Sequence, residues 1–236
     1  MKHESSLALL ERGRVEVLGV LPYASNYTFL ARVCDRSEEV LAVYKPSRGE
    51  RPLWDFPEGS LARREVAAYL LSEAGGFAFV PPTVLHDDAP MGVGSVQLFV
   101  DHDPERHFFT LIEERPQDFA GFAAFDVVVN NADRKAGHVL EDTSGKLWSV
   151  DHGLTFHAEY KLRTVIWEYA EGPLPPDLAA GLEGLSGALS TELGARLAEL
   201  LSRREADATA ARLETLLAEG RFPAPRGLHP LPWPLV

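Results

Sequence analysis

The sequence predicts an α+β fold in two lobes: an antiparallel sheet carrying one helix, followed by a mainly helical half. Three observations carry this prediction. Residues 14–45 hold three β-rich segments in succession, Arg14–Val20, Asn26–Val33 and Glu39–Lys45, joined by short turns; this is the pattern of an antiparallel meander. From Asp118 onward the apolar spacing is mostly helical, with a period near 3.6 rather than 2. Between these regimes, Val139-Leu140 and Leu147-Trp148 flank a turn at Thr143–Gly145 and read as a β-hairpin.

With 236 residues, 45 % of them hydrophobic, the chain can bury a core for one large domain or for two lobes sharing a cleft. We place the division near residue 100, giving lobes 1–100 and 101–236. A single cysteine, Cys34, excludes an internal disulfide or a cysteine-based zinc cluster and suits a reducing cytosol, so a cytoplasmic location is expected. No apolar run approaches the ~20 residues of a membrane span, and charge interrupts Met1–Arg12 too early for a signal peptide. A net charge of −12 speaks against a nucleic-acid partner and against bulk electrostatic docking to anionic lipid.

In chain order, Ser5–Glu11 reads as a short helix and the three meander strands follow. The Tyr23–Asn26 turn fits either a backbone cradle for phosphate or an ordinary hairpin loop; its lack of glycine favours the loop. Lys45 ends the third strand, where a lysine is ordinarily solvated. Ser47–Gly59 is a loop, after which Ser60 stands as N-cap of a helix to about Ala74, stopped by Gly75-Gly76. Glu65 falls near the buried stripe of that helix and needs a cation. Spacing leaves Lys45 and the neighbouring Arg63 and Arg64 as alternatives. Pro82–His86 and Gly94–Val100 add two strands, and Asp101–His107 is a polar break between lobes. Asp118–Asn131 is an apolar helix leading into the loop that holds Asp133. Past a proline-rich break at Gly172–Pro176 come helical segments near Ser190–Ser202 and Ala206–Ala218. The tail Phe222–Val236 holds five prolines and is expected to wrap over the surface.

Closing the 139–148 hairpin brings the loop of Asp133, Lys135 and His138 close to the loop of Asp151. Two carboxylates, a lysine and an imidazole then converge. Phosphoryl transfer needs this inventory: a carboxylate to orient the attacking hydroxyl, a cation for the transferred phosphate and hard ligands for a divalent metal.

Six short stretches extend the pattern: Tyr44-Lys45-Pro46, Arg64-Glu65-Val-Ala-Ala-Tyr69-Leu70, Val80–Thr83, Gly94–Val100, Asp133-Arg134, and Val150-Asp151-His-Gly153-Leu-Thr-Phe156. In this order the chain resembles the phosphatidylinositol 3-/4-kinase family, particularly the type II phosphatidylinositol 4-kinases and their small bacterial relatives, over residues 20–160. The resemblance implies a protein-kinase-like fold. It also implies that Lys45 contacts the ATP phosphates with Glu65 holding it, and that Ser25 and Asn26 sit over them. Gln97, Leu98 and Val100 would form the hinge that meets adenine through backbone groups, with Val150 beneath the base. Asp133 would be the catalytic aspartate, Lys135 the partner of the γ-phosphate and Asp151 the metal-binding aspartate.

One position departs from the pattern. Kinases usually place asparagine five residues after the catalytic aspartate, as a second metal ligand; here it is His138. Imidazole suits Mn²⁺ better than Mg²⁺, and as a ligand it would compete with protons near its ordinary pKa of ~6.5. The alternative is a structural histidine at the start of a strand. The expectation is therefore an ATP-dependent phosphotransferase using Mg²⁺ or Mn²⁺ and acting on a hydroxyl of a protein or small molecule, with no nucleic-acid partner and no stable membrane insertion. Two rivals share the architecture: a nucleotide-binding pseudokinase acting as a regulatory module, and a HipA-like Ser/Thr kinase.

Overall fold

A computed structural model of the chain describes residues 3–22 and 26–236. Helix α1 (His3–Arg12) precedes strands β1 (Arg14–Val20), β2 (Phe29–Asp35) and β3 (Glu38–Pro46). Helix α2 (Leu61–Ala74) is followed by β4 (Thr83–His86) and β5 (Gly94–Leu98). The five strands form one antiparallel sheet in the order β1-β2-β3-β5-β4. Its inner face alternates as a half-buried strand should: Ala31, Val33, Ala42, Tyr44 and Val96 are buried with Leu9 and Leu10 of α1.

Strand β2 begins three residues later than its composition suggests. The Asn26 side chain accepts the Arg51 backbone N–H at 2.7 Å, which holds that residue to the 47–59 loop rather than in the ladder. Helix α2 starts where expected, but Ser60 does not cap it. The Ser60 hydroxyl donates to Pro57 O at 2.6 Å, and the free amides of Leu61 and Ala62 donate instead to the Glu50 carboxylate at 3.1 and 3.2 Å. A distant acid thus supplies the acceptor that the local sequence assigns to serine. At the other end Gly76, at φ 69, takes the left-handed turn that glycine tolerates.

The second half comprises α3 (Phe108–Glu114), α4 (Ala120–Val129), β6 (Val139–Glu141), β7 (Leu147–Ser149), α5 (Pro176–Leu189), α6 (Glu192–Leu200) and α7 (Arg203–Glu219). β6 and β7 pair as the expected hairpin. In its turn the Asp142 carboxylate accepts from Ser144 N at 2.8 Å and Lys146 N at 3.0 Å. α4 is shorter than the predicted helix because Asn130 turns left-handed at φ 53 and ends it. α3 and α5 were not expected. α5 carries glycines at 181, 184 and 187, which disfavour an isolated helix; burial of Leu182 and Leu185 in the main core outweighs them.

That core joins Val66–Leu71 of α2 to Phe79, α4 and the last three helices. α2 therefore packs on β4 and β5 and also on α5 and α6, and Glu65 is set between the halves. The tail follows the surface as expected and then reaches the loop after Asp133: Pro230 O accepts from Thr164 N at 3.1 Å and Leu235 O from Ala136 N at 2.8 Å. Among the described residues, no helix is long and apolar enough to cross a membrane.

Candidate active site

A cleft of about 440 Å³ opens between the sheet and the second half of the chain. Asn26, Lys45, Glu65, Gln97, Leu98, Val100, Asp133, His138, Val150 and Asp151 all line it. Lys135 joins them through Asp133, its ammonium 3.3 Å from that carboxylate. Ser25 lies outside the described residues, as does most of the Tyr23–Asn26 turn.

Lys45 projects from β3 into the cleft, where its ammonium pairs closely with Glu65 and lies 2.8 Å from Asp151. Of the three partners open to Glu65, Lys45 is the one it takes. Arg64 is fully buried instead against Glu205 and the Thr155 carbonyl, and Arg63 donates to Glu199 O at 3.0 Å. Burial works against the Lys45 charge, but the Asp151 and Glu65 carboxylates more than offset it and hold the ammonium above the ordinary lysine range.

Asp133 is positioned from behind. Its backbone N–H donates to the Asn131 side chain at 3.0 Å. Next to it, Arg134 and Asp126 form an ion pair at 2.9 Å with both side chains fully buried, and Arg134 also donates to Val150 O at 3.1 Å. Burial raises the Asp133 carboxyl against the pull of Lys135, the direction that a group accepting a proton from a hydroxyl requires.

Asp151 sits at φ 61, a left-handed conformation that aspartate tolerates better than most residues. Lys45 beside it holds its carboxyl well below the ordinary range. One Asp151 oxygen faces Lys45; the other lies 3.4 Å from His138 Nε2. Burial pushes the His138 imidazole down to about 4, against the upward pull of Asp151, so the ring is neutral well below the ordinary histidine value. His138 Nδ1 accepts a long bond from Lys135 N at 3.4 Å, so the ring also holds the loop backbone. The Asp151 carboxylate offers an oxygen ligand for a divalent ion, and the neutral His138 ring joins it as a donor in the tautomer that leaves Nε2 unprotonated, a set that fits an ion of the Mn²⁺ type. Among the described residues, no group of three or more His, Cys, Asp or Glu side chains stands together as a metal site.

The expected hinge groups are partly committed within the protein. The Gln97 side chain donates to Thr83 Oγ1 at 2.8 Å. Leu98 N–H donates to Pro82 O at 2.8 Å and Phe99 N–H to Leu41 O at 3.0 Å.

Sequence reasoning passed over His152, although it stands inside the Val150–Phe156 motif. It is fully buried, and its backbone N–H donates to Glu65 Oε2 at 3.0 Å. Its Nε2 accepts from Arg134 Nη2 at 3.0 Å, so the neutral ring carries its proton on Nδ1, 4.0 Å from Glu65. Burial, then Arg134, keeps it neutral. Glu50, which caps α2 and lines the cleft, was likewise invisible, because the amides it serves lie eleven and twelve residues away.

Residues 59–177, half of the chain, match the family model described as phosphatidylinositol 3- and 4-kinase. The chain belongs to this family. Among its relatives, Protein Rv2133c of Mycobacterium tuberculosis is 38 % identical, over 96 % of this chain and 94 % of that one. Phosphatidylinositol 4-kinase gamma 4 of Oryza sativa subsp. japonica is 34 % identical over 54 % of this family member but only 26 % of its own length. In structure the chain is similar to the Golgi casein kinase solved with Mn/ADP bound, with a TM-score of 0.61 at 15 % identity, covering 92 % of this chain and 75 % of that one. Family and fold are thus of the kinase type.

Proposed function

We propose that this member of the phosphatidylinositol 3-/4-kinase family is a phosphotransferase that moves the γ-phosphate of ATP to a hydroxyl of a protein or small molecule, in the cytoplasm, with a divalent metal. The observation that carries the reading is the Lys45 ammonium held between Glu65 and Asp151 in a cleft that also contains Asp133. Residues 1–100 would supply the nucleotide-binding half and 101–236 the catalytic half.

In this reading Lys45 gives its charge to the phosphates, and the buried Glu65 fixes its position before substrate arrives. Phosphoryl transfer depends mainly on such positioning and electrostatic complementarity. Asp133 accepts a hydrogen bond from the acceptor hydroxyl and takes its proton, aided by its raised pKa. Lys135 neutralises charge on the transferred group. Asp151 and His138 would hold the metal, which supplies Lewis-acid neutralisation of phosphate charge when bound. The Leu98 carbonyl and the Val100 N–H would meet adenine, the Leu98 N–H being committed to Pro82 O and the Gln97 side chain to Thr83; Val150 would pack beneath the base, and Asn26 would lie over the phosphates. The manganese and ADP in the structurally similar Golgi casein kinase support the choice of nucleotide and ion.

The test is incubation with γ-labelled ATP and Mg²⁺ or Mn²⁺, following label transferred to the protein and phosphate released. Metal-dependent transfer or hydrolysis that disappears in Asp133→Asn is expected. Nucleotide binding with no turnover under either metal would leave a pseudokinase instead.

A further inference from the structure

A second cavity, of about 350 Å³, lies away from the cleft, between α7, the end of α4 and the 158–162 segment. It holds a charge that no carboxylate among the described residues pairs with. The Arg212 guanidinium, in the middle of α7, donates from Nε to Val128 O at 2.9 Å, from Nη1 to His157 O at 3.2 Å and from Nη2 to Thr209 Oγ1 at 2.8 Å. All three acceptors are neutral. Arginine has five N–H donors, so one remains on each Nη. Among the described residues no carboxylate forms an ion pair with Arg212. Glu219 lies on the lining, on the exposed last turn of α7, without pairing to it. The cations set in the cleft and the core have carboxylates: Lys45 has Glu65 and Asp151, Arg64 has Glu205, and Arg134 has Asp126.

Charges taken from water are normally paired, because desolvation without a counter-charge is unfavourable. The strain shows in Arg212 itself, which burial pushes down to about 10. A second guanidinium, Arg226, also lines the cavity, stacked over the Tyr160 ring at 5.8 Å. The remaining walls are largely apolar, including Val127, Leu162 and Leu216. Size and lining are those of a small-molecule pocket with a few polar groups on apolar walls.

We propose that this cavity binds a small organic anion, its carboxylate or phosphate on the two free N–H groups of Arg212 and its apolar body against Val127, Leu162 and Leu216. Planar donors in a fork are well suited to such a head group. Because Arg212 also holds His157 O, the bound anion braces the segment that follows Asp151 against α7. The assignment does not depend on the phosphotransferase reading.

Calorimetric titration of the full chain with octanoate, octyl phosphate, inorganic phosphate and octylamine tests it. Octanoate, octyl phosphate or both should bind, and which does identifies the head group. Inorganic phosphate should bind at least about tenfold more weakly, and octylamine not at all, since the anchor is a cation. Arg212→Met should weaken binding at least about tenfold through loss of the charge-assisted bonds. That variant also loses three internal bonds, so Ala211→Phe serves as a second: Ala211 is exposed on the cavity rim, and the larger ring fills the space while Arg212 keeps its bonds. A folded Ala211→Phe protein that binds as well as the wild type overturns the proposal. So does equal binding of octylamine, or no binding of either amphiphilic anion.

Discussion

Glu65 Oε2 accepts the His152 backbone N–H at 3.0 Å, while Oε1 of the same carboxylate pairs with Lys45. A single buried side chain on α2 therefore fixes both the lysine of β3 and the residue that follows Asp151. Because α2 packs on the helices of the second half as well as on the sheet, the distance between Lys45 and Asp151 is set by the core.

Lys45→Ala should leave the fold intact and lower ATP turnover at least about 10²-fold, the scale seen when a preorganised electrostatic group is lost. It also leaves buried Glu65 without its cation, so a loss of about 1–3 kcal/mol in stability is expected. Steady-state kinetics and thermal melts on the same preparation check both. Wild-type turnover in the variant would remove Lys45 from the phosphates.

Asp133 and Asp151 should separate. Asp133→Asn is expected to abolish transfer while nucleotide affinity stays within about twofold, because the role proposed for it is to orient the acceptor. Asp151→Asn should instead lose metal-dependent nucleotide affinity. Fluorescent-nucleotide titrations with and without Mn²⁺ make the comparison, and equal losses in both variants contradict the division.

His138→Asn should shift the ratio of Mn²⁺- to Mg²⁺-supported activity towards Mg²⁺, since an amide oxygen is the harder ligand. If the ring only holds the Lys135 backbone, the ratio will not move and stability alone will change.

The same histidine gives the metal-free protein a pH dependence. Its folded pKa of about 4 lies below the ordinary ~6.5 of the unfolded chain, so the unfolded state binds more protons between those values. Stability is thus fully present above pH ~6.5 and falls as the pH drops towards 4, by roughly 3 kcal/mol if burial of His138 is the whole cause. Denaturant titrations in chelator at several pH values should show a shallower slope for His138→Asn than for the wild type; parallel slopes would show that His138 does not contribute.

The Asp126–Arg134 pair behind the loop predicts a structural loss. Asp126→Asn leaves a fully buried guanidinium without its counter-charge and should cost about 3–5 kcal/mol. Removing the half-exposed Arg12, which bridges Asp35 and Glu38 at 2.6 Å each, should cost less than about 1 kcal/mol. Urea titrations rank the two, and equal costs would refute the assignment of Arg134 as the frame of the loop.

The sequence by itself determined the elements whose signal is local. The meander, the α2 boundaries, the hairpin turn and the motifs that carry Lys45, Glu65, Asp133 and Asp151 to one cleft were legible because alternation, glycine stops and short motifs act within a few residues. The tertiary structure alone decided the partners. Whether Glu65 took Lys45 or a neighbouring arginine depended on Arg64 being drawn into the core by Glu205, 141 residues away. Glu50 replaced Ser60 as the cap of α2, and α5 formed despite its glycines, because contacts from distant segments outweighed local preference. The same applies to His138: its spacing from Asp133 was plain, but burial moved its protonation from about 6.5 to about 4, and burial is a property of the packed chain.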